Sequence, residues 1–184
     1  MTEQPDQWER LSSELVADLK LFGARFDYMK NPRNGFTQKM IVLESPDAAN
    51  VVAITEDQHI LFVRQYRIGI DQNILELPGG IIDPGEDHET GAPRELQEET
   101  GYSGGKWTYL GNIASNPVFM TSKIHHYLAE GVTLSHPLHL DAGEDIKVES
   151  MQVDEVFQRW RSGFFQHPHT VNALLLFFVQ KRYF

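Results

Sequence analysis

Between Gly80 and Tyr102 the chain reads GIIDPGEDHETGAPRELQEETGY, a short stretch that limits what can be built around it. Among its five glutamates are Glu86, Glu95, Glu98 and Glu99; it has one arginine, Arg94, and the glycines Gly80 and Gly101 near its ends. Glu95 and Glu99 stand four residues apart, so on a helix their carboxylates share one face, one turn apart, with Glu98 flanking the same stripe. Like charges at this spacing cost a bare helix roughly a few tenths of a kcal/mol per pair. A cation between the carboxylates removes that conflict. Carboxylate oxygens are hard ligands, and the chain has no cysteine, so the natural guests are Mg2+ or Mn2+. A solvated acidic helix face is the plainer alternative. It gives no role to the glycine-rich lead-in, to Arg94 or to Gly101.

Written as a pattern, the segment is G-x5-E-x7-R-E-L-x-E-E-x-G-Y. It resembles the Nudix box, with every defining position matched. The resemblance implies a hydrolase that uses divalent metal ions to cleave a nucleoside diphosphate linked to another group. It implies that Glu95 and Glu99 are direct metal ligands, that Glu98 is a ligand or acts through a water, and that the carbonyl of Gly79 is a further ligand. Arg94 and Glu86 then have structural roles, the arginine holding a carboxylate in its working rotamer, and Gly80 and Gly101 bound the motif.

Composition narrows the partners. With 184 residues the chain suffices for one cored domain and a modest extension, and 41% hydrophobic with 23% charged residues is ordinary for a globular protein. A net charge of −10 argues against nonspecific nucleic-acid binding, which needs basic surface, whereas a phosphorylated small molecule is compatible when metal ions neutralise its charge. The absence of cysteine rules out disulfides, thiolate zinc sites and cysteine nucleophiles. MTEQPDQWER reads as no signal peptide, and the longest apolar run, Ala173 to Val179, is too short for a membrane span. The expected location is the cytoplasm.

The pattern of elements predicts an α+β fold. Leu15, Ala17, Leu19 and Leu21 alternate with Val16, Asp18 and Lys20, and Phe26 and Tyr28 resume the period of two after Gly23. Residues 31–35 are a turn and 36–44 a returning strand, so residues 1–45 read as a small N-terminal β segment and 46–184 as the catalytic domain. Strands follow at 50–55, 59–66, 74–77, 107–114, 124–134 and 146–153, with helices from Asp154 to Ser162 and from Thr170 to Arg182. The family resemblance implies an α/β/α sandwich with a mixed sheet. Pro93 and Gly91 are both awkward in a helix interior, so the box helix either starts late, with Thr90 a candidate N-cap, or is kinked, and the late start is the expectation.

The flanks point to a substrate class. Val63-Arg-Gln-Tyr-Arg-Ile68 and Leu75-Glu-Leu-Pro-Gly-Gly80 resemble the approach to the site in the ADP-ribose and nucleoside diphosphate sugar pyrophosphatase branch, with Arg67 as a diphosphate contact. Pro117 also fits that branch, but Val118 replaces the glycine that follows it in ADP-ribose specialists, which leaves room for other sugars, GDP-mannose among them. Glu76, between two leucines on its strand, either lines the cleft or faces water. Glu144, on a stretch resembling the family's mobile loop, is the first choice for the general base and Glu98 the second. His125, His126, His167 and His169 show no second ligand spacing and read as surface or loop histidines. Trp8, Phe36 and Phe119 are candidates for base stacking, Phe36 foremost. Two rival functions remain: a nucleoside triphosphate sanitising enzyme and a non-catalytic ADP-ribose-sensing module.

Residues 1–45 carry Leu15, Leu19, Leu21, Phe22, Phe26 and Phe36, more apolar surface than so short a β unit can cover. A homodimer is expected, in which this segment lies against the partner's catalytic domain, as the resembling pyrophosphatases arrange it.

Overall fold

The computed structural model describes residues 6–140, 143 and 145–184. It divides into two compact units, Met1–Pro46 with Ala114–Lys123, and Asp47–Ile113 with Ile124–Phe184.

The first unit is built on three antiparallel strands, β1 (Glu9–Asp18), β2 (Gly23–Lys30) and β3 (Thr37–Glu44), in the order β1-β2-β3. Lys20, in the left-handed region at φ 64°, lies in the first turn, and Asn31 closes the second by accepting the Gly35 amide at 2.8 Å. Asp27 is buried in this sheet and takes hydrogen bonds from Ser13 Oγ at 2.6 Å and Arg25 Nε at 2.9 Å. Those donors hold its carboxyl at about 2. The stretch Ala114–Lys123 joins through Leu43, whose amide donates to Phe119 O at 2.7 Å and whose carbonyl accepts from Thr121 N at 3.1 Å. Much of the sheet's apolar surface is uncovered: Leu15 is 70% exposed and Phe36 60%, and Val16, Leu19, Leu21 and Ile41 are also exposed.

The second unit contains β4 (Ala48–Thr55), β5 (His59–Arg67), β6 (Gln72–Glu76), α1 (His88–Thr100), β7 (Tyr102–Ser103), β8 (Lys106–Ala114), β9 (Lys123–Leu134), β10 (Ile146–Gln152), α2 (Val153–Arg161) and α3 (Pro168–Gln180). The strand order is β10-β5-β4-β9-β7, with β6 on β5 and β8 on β9. The β4–β9 pair is parallel and the β4–β5 hairpin antiparallel, so the sheet is mixed. β4 reads AANVVAIT because both its faces are covered. Ala49, Val51 and Ala53 pack with Ala92 and Leu96 of α1, while Val52 and Ile54 pack with Val156 of α2 and Leu174, Phe177 and Phe178 of α3. Helices on the two faces of one mixed sheet make the expected α/β/α sandwich. No helix among the described residues is long and apolar enough to cross a membrane.

The expected late start of the box helix is corrected. Asp87 is the N-cap, its Oδ1 accepting the Thr90 amide at 2.8 Å, and Pro93 lies inside the helix. Proline leaves the Glu89 carbonyl without its usual donor, but Glu89 is exposed and water can replace that bond. Gly91 is explained by close packing, since a Cβ there would stand 2.6 Å from Ile82 Cδ1 and 2.9 Å from Glu86 Oε2. At the other end Gly101, at φ 75°, closes the helix with its N–H on Gln97 O at 2.8 Å.

Candidate active site

The strand β6 ends in Pro78-Gly79-Gly80, which pairs with the start of β4: Ala49 N–H donates to Gly80 O and Val51 N–H to Pro78 O, both at 2.9 Å. Gly79 adopts φ 148° and is pressed so closely on β4 that a Cβ would stand 2.1 Å from Ala49 O. The turn therefore tolerates only glycine there. Its amide donates to Glu99 Oε2 at 2.7 Å, and a Cβ on Gly80 would meet the Glu95 carboxylate at 2.6 Å. Glu99 is 3% exposed and the Glu95 side chain 12%. Sheet and helix thus bring Gly79, Glu95 and Glu99 together, as their sequence separation alone could not show.

Arg94 organises the remaining box residues. Its Nε and Nη2 bond Glu86 at 3.1 and 2.9 Å, Nη2 also reaches Ile81 O at 3.1 Å, and Nη1 serves Glu95 at 2.8 Å and Glu98 at 2.9 Å. A guanidinium has five N–H donors, and all five are engaged. Hydrogen bonding to Glu86 first, then to Glu95 and Glu98, raises the arginine's pKa, and Arg94 in turn lowers that of Glu86. Glu86, Glu95 and Glu98 thus share this one guanidinium. Among the described residues, no group of three or more His, Cys, Asp or Glu side chains is arranged so that it could hold a metal ion.

Arg67 and Glu76 form a bidentate pair at 2.6 and 2.7 Å. The water-facing alternative for Glu76 is corrected: it is 2% exposed, with His167 Nδ1 also 3.4 Å from Oε2. Its strand is buried on both faces, so alternation with leucines did not imply a solvated side. Thr170, at the start of α3, accepts the Leu77 amide at 3.0 Å.

The surface reading of the histidines is corrected as well. His125 and His126 are buried in β9, and His167 and His169 are half-buried at the start of α3. Burial pushes His126 and His167 down to about 4, and His169 down as well. His125 stacks on His88 with ring centroids 3.8 Å apart and lies 3.0 Å from the Tyr109 hydroxyl. His88 Nδ1 in turn meets the Tyr127 hydroxyl at 2.5 Å. The signal that locates His125 and His126 is their place on β9 between Ile124 and the apolar Tyr127, Leu128 and Ala129, all buried. Phe36 belongs to the first unit, Trp8 is 37% exposed and Phe119 half-buried, while Glu144 lies outside the described residues.

Comparison with known proteins adds the family. The NUDIX domain model matches residues 44–171. A methanol dehydrogenase activator of Bacillus methanolicus is 36% identical over 126 residues, 68% of each chain. An ADP-ribose pyrophosphatase of Bacillus subtilis (strain 168) is 32% identical over 126 residues, again 68% of each. A solved structure titled as an ADP compounds hydrolase superposes with a TM-score of 0.82 at 25% identity, covering 95% of this chain and 94% of that one.

Proposed function

The chain belongs to the Nudix hydrolase family, and on that premise we propose that it hydrolyses the diphosphate linkage of ADP-ribose and related nucleoside diphosphate sugars, GDP-mannose among the candidates. The products are a nucleoside monophosphate and a sugar phosphate. The observation that carries this reading is the contact of the Gly79–Gly80 turn with Glu99 and Glu95. Similarity to an ADP-ribose pyrophosphatase and the Arg67–Glu76 pair beside that turn support the substrate class.

The donor set suits a hard divalent cation, Mg2+ or Mn2+. Glu95, Glu99 and the Gly79 carbonyl offer oxygen alone, with Glu98 beside them on Arg94. When bound, such an ion supplies Lewis-acid chemistry, neutralising phosphate charge and making water more acidic. Glu86 fixes Arg94 through two bonds, and the arginine's Nη1 holds Glu95 and Glu98 in place. Arg67, held in one orientation by Glu76, contacts the diphosphate. Water attacks one phosphorus, the bridging P–O bond breaks, and a carboxylate takes the water's proton. Glu144 is our first choice for that base and Glu98 the second.

We read residues 1–45 as the dimerisation segment and 46–184 as the catalytic domain. Exposed Leu15, Leu19 and Phe36 are the surface that a second copy would cover, bringing Phe36 toward the substrate's base. One assay separates this function from its rivals: ADP-ribose, GDP-mannose and a dNTP, each with Mg2+ and with chelator. Sugar-nucleotide turnover that chelator abolishes is expected. Preference for the dNTP favours a sanitising enzyme, and binding of ADP-ribose without turnover favours a sensor. For the base, Glu144→Gln should lower kcat with little change in KM. Loss confined to Glu98→Gln moves the role onto α1.

A further inference from the structure

The end of β6 is held from outside its own sheet. Register with β5 stops at Glu76, opposite Val63, so Leu77 leaves the ladder just before the Pro78-Gly79-Gly80 turn. Leu77 is 3% exposed, and an amide buried so deeply must find an acceptor. It finds the hydroxyl of Thr170 at 3.0 Å, from a residue 93 positions away in the chain. Thr170 is 0% exposed and lies in the first turn of α3. Among the described residues of that helix, the others that are buried are Ala173, Leu174, Phe177 and Phe178, all apolar. Threonine has no advantage in a buried helical position, where a β-branched side chain loses rotamer freedom and a hydroxyl must be paired. Its hydroxyl here serves a strand of the sheet.

That bond lies between two parts of the proposed site. Before Leu77 stands Glu76, which holds Arg67 through two bonds; after Pro78 comes Gly79. Beyond Leu77 the turn is tied to β4, with Val51 N–H on Pro78 O and Ala49 N–H on Gly80 O, both at 2.9 Å. Thr170 ties the approach to the turn to α3 instead. The helix is a firm support, because Leu174, Phe177 and Phe178 share one core cluster with Val52 and Ile54 of β4. His167 continues the same contact, its Nδ1 lying 3.3 Å from the Thr170 hydroxyl and 3.4 Å from Glu76 Oε2.

We propose that Thr170 is a positioning residue for the Gly79–Gly80 turn: its hydroxyl anchors the Leu77 amide to α3 and so sets where the Gly79 carbonyl is presented to a divalent cation. The inference rests on the reading of that carbonyl as a cation donor. Thr170 acts through Leu77 and takes no part in the chemistry. Anchor and cation bear on one segment, so the coupling is reciprocal: the anchor favours the cation, and the cation slows opening of the anchor.

The first test needs no variant. In full-length wild-type protein, amide hydrogen exchange followed by 1H–15N NMR should show Mg2+ slowing the Leu77 amide at least about 3-fold, with the core amide of Val52 unchanged. The same Leu77 rate with and without Mg2+ overturns the proposal. The second test compares Thr170→Val, which keeps the shape and removes the hydroxyl, with Thr170→Ser, which keeps the hydroxyl. Valine should speed exchange at Leu77 at least about 10-fold more than at Val52. It should also weaken Mn2+ binding by EPR about 10-fold and lower kcat, with a KM for ADP-ribose changed less than about 2-fold. Serine should bring Mn2+ affinity back to within about 3-fold of wild type. A lower Tm in Thr170→Val with Mn2+ binding unchanged would mean a packing role and overturn the proposal, as would a serine variant as impaired as the valine one. Sugar-nucleotide hydrolysis together with a Leu77 rate indifferent to Mg2+ would sink this inference and spare the proposed function. No hydrolysis of any sugar nucleotide, with the exchange and Mn2+ results as expected, would do the reverse.

Discussion

Gly79 donates its backbone N–H to Glu99 Oε2 at 2.7 Å, joining the end of a strand to a buried carboxylate near the end of the box helix. A loop residue and a helix residue 20 positions apart thus share one place in the molecule. The glycine is required by space as much as by φ, since the backbone of Ala49 and Asn50 leaves no room for a side chain.

Two alanine substitutions should therefore differ in kind. Gly79→Ala drives a methyl group into the backbone of β4, 2.1 Å from Ala49 O, and should cost about 2–4 kcal/mol of stability. Gly80→Ala meets the Glu95 side chain at 2.6 Å, and that side chain can turn aside. Its stability cost should stay near ~1 kcal/mol while kcat falls by about 10-fold or more, if Glu95 is the metal ligand proposed above. Denaturant melts and steady-state kinetics on both variants check the contrast; equal stability losses would contradict it.

Arg94→Lys should be far from conservative. A lysine offers three donors from one point, whereas Arg94 spreads five across Glu86, Glu95, Glu98 and the Ile81 carbonyl. Activity should fall by about 10–100-fold, with weaker Mn2+ binding. Glu86→Gln should move both quantities the same way by less, since Nη1 keeps its two partners. Full activity in Arg94→Lys would remove the arginine's positioning role.

Acid should destabilise the protein well above the range where carboxylates titrate. Burial holds His126 and His167 at about 4, against an ordinary value of 6.5. The unfolded chain therefore takes up these protons first, so this contribution to stability is complete above about pH 6.5 and is lost as pH falls toward about 4. Each such group contributes up to about 1.4 kcal/mol per pH unit in that window. Thermal melts should show a plateau near neutrality and a falling Tm between pH 6.5 and 4. A flat Tm across that interval would show that these histidines charge freely in the fold.

Most strands were legible in the sequence because alternation is local: Phe26 and Tyr28 announced β2, and the apolar run from Asn50 to Thr55 announced β4. What depends on distant neighbours was not legible. Gly91 looked like a helix breaker, yet Ile82 and Glu86 are what require it. His126 read as a surface residue, and Glu76 stayed open between cleft and water, because no local pattern signals a polar group whose burial is met by Asn50 or Arg67 from another strand. The parallel β4–β9 pairing and the association of Ala114–Lys123 with the first unit likewise join segments far apart in the chain. In the site, the resemblance supplied the residues and the fold supplied their contacts.

Light scattering at micromolar concentration should give about twice the 21.1 kDa chain mass, because the exposed apolar residues of the first unit suit burial against a second copy. Deleting residues 1–45 should yield a monomer with impaired turnover. A fully active monomeric wild-type protein would refute the shared-site arrangement.

The central claim is that Glu99, on α1 and bonded to the Gly79 amide, belongs to a metal-dependent diphosphate hydrolase site, and 31P NMR of ADP-ribose with purified protein and Mg2+ tests it most directly. The wild-type protein should convert the diphosphate signals to those of AMP and ribose 5-phosphate and stop when chelator is added. Glu99→Gln, folded by circular dichroism, should lose turnover by at least about 100-fold. Unchanged diphosphate signals with the wild-type protein, or equal rates in the two proteins at saturating Mg2+, would contradict the claim.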